Sequence, residues 1–147
     1  MATEILVNDG GAPARIMNLG VGNAAIDAGT FVDIASTGKI VAAGTGYADA
    51  EEGSTGQTVA LGVLLTDAAA NGATSIITGK GVVCNVIAGE ALSTIGTEVT
   101  INGDGNVEAT ADADNHRAVG ITLAASVTTA TKSDGSAIPH MVKVLLV

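Results

Sequence analysis

The chain has 147 residues, enough for one domain or two small halves sharing a core; 47% are apolar, and Phe31 and Tyr47 are its only aromatics. Fifteen acids against six bases give a net charge of −9, and Arg15, Lys39, Lys80, Arg117, Lys132 and Lys143 stand singly, so no basic stripe or aromatic platform serves nucleic acid. A single cysteine, Cys84, excludes an intrachain disulfide and a multi-Cys zinc site.

No run approaches the ~20 apolar residues that span a bilayer, and no basic, apolar leader opens the sequence. The expectation is a soluble protein made in the cytoplasm, without a membrane partner. A core of small aliphatics packs thin layers, which favours oligomerisation.

Ile5-Leu6-Val7 is a short apolar run, and Asn8-Asp9-Gly10-Gly11-Ala12-Pro13 after it is dense in turn formers. This predicts an extended arm over residues 1–14 and a β domain over 15–147. Arg15 to Leu19 reads as a strand, ended by Gly20-Val21-Gly22. Thr30 to Ala35, the turn Ser36-Thr37-Gly38 and Lys39 to Ala43 form a hairpin. The loop to Gln57 carries Tyr47, Asp49, Glu51 and Glu52, and the strand Thr58 to Leu65 follows. Ser75 to Thr78 and Gly81 to Ile87 are joined across Gly79-Lys80. Beyond them come a broken strand near Ala91 to Ser93, then Glu98 to Ile101, the turn Asn102 to Asn106, and Val107 to Thr110. An acidic loop with Asp112, Asp114 and His116 leads to the strand 117–123, and Met141 to Val147 closes the chain.

Ala60-Leu61-Gly62-Val63 lies over Ala118-Val119-Gly120-Ile121, and the flanking hairpins repeat as well. The pattern predicts a tandem unit of about 60 residues, 28–87 and 88–147, closing one all-β core. Within each echo, large residues share one strand face and small ones the other. Ala60, Gly62, Ala118 and Gly120 are therefore candidate subunit contacts, because close backbone approach needs side chains this small.

Catalytic and metal-binding patterns are incomplete. Asn102 to Glu108 has alternate oxygen side chains, yet Val107 stands where a calcium loop needs Gly and Ala113 where it needs Glu, so a hairpin turn fits better. Cys84 sits mid-strand as a core residue rather than a nucleophile. Ser133, Asp134 and His140 supply the residue types of a hydrolase triad without its Gly-x-Ser-x-Gly turn. His116 beside Asp112 and Asp114 reads as a surface histidine, and Gly79-Lys80-Gly81 lacks the spacing of a phosphate loop. The sequence points to no enzyme, no cofactor and no metal.

A Gly/Pro-containing N-terminal arm, Ala28-Gly29 before a Gly38-Lys39-Ile40-Val41 hairpin, and the Ala60-Leu61-Gly62-Val63 strand together resemble the decoration (cement, or head-stabilising) proteins of tailed bacteriophages. The matching segments are Ala28 to Ala43, Thr58 to Leu65 and Gly81 to Ile87, with their echoes. The resemblance implies a compact β-barrel or β-tulip core and a homotrimer on the outer surface of a phage head. It also implies binding to the major capsid protein; Ile5, Leu6 and Val7, apolar and set off by the hinge with Gly10, Gly11 and Pro13, are the expected capsid-binding arm. A carbohydrate- or host-surface-binding β module is the alternative, with Tyr47 its one free aromatic besides Phe31.

Overall fold

The computed structural model describes residues 5–8, 15–43, 60–102, 104–110, 118–128, 131, 135, 137–138 and 140–147. Tyr47, the acidic residues 49–52 and 112–114, His116, Ser133 and Asp134 lie outside them. The chain forms two open sheets that are copies of each other. In the first half, β2 (Arg15–Gly20), β3 (Phe31–Ile34), β4 (Ile40–Ala42), β5 (Gly62–Leu64) and β6 (Ala73–Thr78) take the order β2-β6-β5-β3-β4. In the second half, β7 (Val83–Ile87), β8 (Glu98–Ile101), β9 (Val107–Ala109), β10 (Gly120–Thr122) and β11 (Met141–Leu146) take the order β7-β11-β10-β8-β9. A further strand, β1 (Leu6–Asn8), lies outside β7, which makes this sheet six-stranded.

The copies agree residue by residue. Val32 pairs with Gly62 and Ala42, as Val99 pairs with Gly120 and Ala109. Val63 faces Phe31 and Ile77, as Ile121 faces Glu98 and Leu145. The parallel bridge from Val21 to Ile40 returns as the one from Ala88 to Val107. Even the hairpin turns match: Ala35 and Asn102 each donate to the last turn residue's carbonyl, Lys39 and Asn106, and Gly38 and Gly105 hold φ of 75° and 77°. That left-handed conformation costs glycine nothing, which fixes both turns to the same shape.

The expected duplication is present, but its boundary is different. β6 and β7 belong to different sheets, so Gly79-Lys80 links the halves and is not a hairpin turn inside the first. The repeats are thus 15–78 and 83–146, with β6 matching β11 and β7 matching β2. Residues 91–93 form no strand. The all-β class holds, while the sheets stay open instead of closing into a barrel.

Burial explains how so few aromatics suffice. Phe31 and Val32, Val63 and Leu64, and Ile77 and Ile76 are neighbours in sequence and point to opposite faces. Phe31, Val63 and Ile77 join the joint core with Cys84, Val86, Val99, Ile101, Val107 and Val144 of the second half. Val32, Leu64 and Ile76 form a separate core with Val21, Ile26, Ile40 and Ala68. The centre of the first sheet, at β3, β5 and β6, is therefore buried on both faces, while β2 at its edge stays exposed. Each fully buried Val, Leu or Ile contributes roughly 1.5–3 kcal/mol, so two-sided burial offsets the shortage of large side chains.

The small residues Gly62 and Gly120 serve this packing. A Cβ on Gly62 would run into the Ile77 carbonyl oxygen, and one on Gly120 into the Val144 side chain and the Leu145 carbonyl at 2.8 Å. Both glycines are buried against their own chain's neighbouring strand, so the bare face that the sequence suggested for a subunit contact is used internally. Gly62→Val and Gly120→Val should each lower stability by about 1–3 kcal/mol or more in urea titrations. Gly20→Ala, where a Cβ meets nothing within 4 Å, should be neutral or mildly stabilising.

Candidate functional site

Among the described residues the chemistry-bearing side chains do not converge. His140 is half-buried, and its Nδ1 has no hydrogen-bond partner among the described residues. Among those residues no group of three or more His, Cys, Asp or Glu comes together. Asn102 to Asn106 forms the tip of the β8–β9 hairpin, where the Asn102 side-chain oxygen accepts from the N–H groups of Asp104 at 3.0 Å and Asn106 at 3.1 Å. The asparagine oxygen is thus occupied in shaping the turn.

What the fold does assemble is a seam between the halves. One cavity of about 240 Å³ is lined by Ala60, Leu61, Gly62, Phe31 and Ile77 from the first half and by Ala118, Val119 and Leu146 from the second, with Lys80 at its edge. Three of the four small residues singled out by the sequence meet here, and Gly120 lies behind them against β11. A second cavity of about 390 Å³ is lined by Asp27, Thr30 and Ala42 from one half and Asp104, Asn106 and Ile138 from the other. Both cavities lie between the two copies and open to solvent.

The N-terminal segment also differs from expectation. Leu6 and Asn8 pair antiparallel with Cys84 and Val83, and the Asn85 N–H donates to the Ile5 carbonyl at 2.7 Å. The Ile5 side chain is buried in the joint core and touches Gly29. Ile5, Leu6 and Val7 are therefore not an arm held away from their own fold. The edge of β7 supplies the backbone hydrogen bonds that an unpaired apolar strand needs.

Cys84 sits at the centre of β7, fully buried, and burial pushes its thiol from 9.0 up to about 11. The sequence reading of it as core holds. The surfaces that sequence reasoning missed are apolar side chains left exposed at the ends of the halves: Met17, Ile34, Ile95 and Leu123.

No family model and no curated protein sequence matches the chain. Among solved structures, its fold is similar to the N base of the head fiber gp8.5 of bacteriophage phi29. The likeness has a TM-score of 0.57 at 14% identity and covers 90% of this chain and 95% of that one.

Two outcomes follow from the buried segment and the buried thiol. Ile5→Ala should cost about 2 kcal/mol or more, and removing residues 1–9 should lower the melting temperature instead of leaving it unchanged. Cys84 should resist thiol reagents at pH 8 in the folded protein and react on unfolding. The unfolded thiol ionises above pH 9 while the folded one stays protonated to about pH 11. Stability therefore falls as pH rises through that window, by on the order of 2 kcal/mol, relative to a Cys84→Ala variant measured in parallel.

Proposed function

We propose that this chain is a structural protein of a tailed-phage head. It binds the outer surface of the head through the major capsid protein and, as a homotrimer, stabilises contacts between neighbouring capsid subunits. The observation that carries this reading is the likeness of nearly the whole chain to the N base of the phi29 head fiber, a fold shared over most of both chains. The rest of the molecule is compatible with that work. The two cavities described lie at the seam between the halves, and the net charge of −9 disfavours nucleic acid as the ligand.

The grip on a capsid then falls to surfaces outside the joint core, since Ile5 is committed to that core. Purified protein mixed with expanded heads of a phage that carries this gene should co-sediment to a saturating ratio and raise the temperature at which the heads come apart. Absence of co-sedimentation overturns head binding. Light scattering that gives a monomer mass overturns the trimer.

A further inference from the structure

Because the halves are copies, what one half covers and the other leaves open can be read residue against residue. The first half presents a loop pair, 26–30 and 64–68, to the second. There the Gly29 carbonyl accepts from the Ile87 N–H at 3.0 Å, and Gly29 lies against the Met141 methyl and the Ile5 side chain. Ala28 and Leu65 of the same pair pack on the joint core.

The second half builds the identical loop pair. The bond from Gly29 N–H to Leu64 O, at 2.8 Å, recurs from Gly96 N–H to Thr122 O at 2.8 Å. The bond from Leu65 N–H to Ser75 O recurs from Leu123 N–H to Lys143 O. Here the places of Ala28 and Leu65 belong to Ile95 and Leu123, which are 65% and 41% exposed. The turn bearing Ile95 is held in shape, since the buried Thr122 hydroxyl donates to the Thr94 carbonyl and accepts from the Thr97 N–H, both at 2.9 Å. This loop pair is preorganised, and its two large apolar side chains face solvent.

The receiving side shows the converse. Cys84 and Ile101 of the second half are fully buried in the joint core, whereas their counterparts in the first half, Met17 and Ile34, are 41% and 45% exposed. Gly20, the counterpart of Ile87, has open space around it. Four of the large exposed apolar side chains thus stand where the other copy is covered, two on each side of one missing contact.

We propose that a second copy of this chain fills it, docking head to tail. The loop pair with Ile95 and Leu123 seats on the rim of the first half of the next molecule, at Met17, Gly20 and Ile34, outside the closed core of Val21, Val32, Ile40 and Ile76. Charge supports the same partner. Phe31, whose N–H donates to the Gly105 carbonyl at 2.8 Å across the internal seam, is replaced in the second half by the exposed Glu98. On the receiving hairpin, the residue after Gly38 is the exposed Lys39, where Asn106 follows Gly105. The positions that flank this backbone bond inside the chain, Phe31 and Asn106, become a carboxylate and an ammonium between chains. Because the two surfaces differ, the contact is heterologous.

This inference rests on the oligomer in the proposed function and not on capsid binding, and its test separates the two. In a Cys84→Ala background, Ile95→Cys and Gly20→Cys proteins are prepared separately, mixed and mildly oxidised. The disulfide-linked heterodimer should exceed either homodimer by about ten-fold, as a contact between unlike surfaces requires. Glu98→Lys and Lys39→Glu should each weaken association about ten-fold, and their combination should recover most of it, with unchanged circular dichroism. An oligomer that gives homodimeric disulfides, or none, overturns the head-to-tail contact and leaves the oligomer standing. A monomer by light scattering overturns both.

Discussion

The absence of a side chain at Gly62 and Gly120 is the constraint on which the architecture rests. β5 lies between β3 and β6, and β10 between β8 and β11, so each glycine sits where a sheet is joined from both sides. A Cβ at either position would displace the neighbouring strand's backbone, at Ile77 or at Leu145. Separation there would unpair the centre of the sheet and open the seam lined by Phe31, Ala60 and Ala118. The same chemical requirement, met twice, holds both sheets and the junction between them.

The duplication was legible at these glycines because nothing else satisfies their position, and the Ala-x-Gly signature survives in both copies. Its boundary was not legible, since β6, β7 and β11 are all short Val/Ile-rich strands and sequence alone does not say which resembles which. Strand order decides it, and strand order is set by contacts far apart in the chain. The N-terminal run was recognisably β-prone, but the turn formers after it hid its destination. The edge of β7 that captures it depends on where the second sheet lies. Small residues marked a close approach without naming the partner, and the partner proved to be the chain's own backbone.

The exposed apolar positions escaped for a different reason. Ile95 stands between Thr94 and Gly96 and belongs to no apolar run, and Met17 follows Ile16 in a strand whose sequence does not say which face is covered. Their meaning comes from comparison between halves: a residue becomes informative when its counterpart is buried. A head-binding protein of the kind proposed works through its surfaces. In such a protein the divergence between copies is where specificity resides, as in the exchange of Phe31 for Glu98.

The pairing of β1 with β7 orders events during synthesis. All five strands of the first sheet leave the ribosome as one contiguous stretch, and they can pair before the second half exists. β1 is made earliest of all, yet its partner belongs to the later copy. The nascent chain therefore carries a free β-prone segment, with Ile5 still uncovered, until β7 emerges. Chain closure by β1 is a late, long-range step, and it reports that the second half has begun to fold.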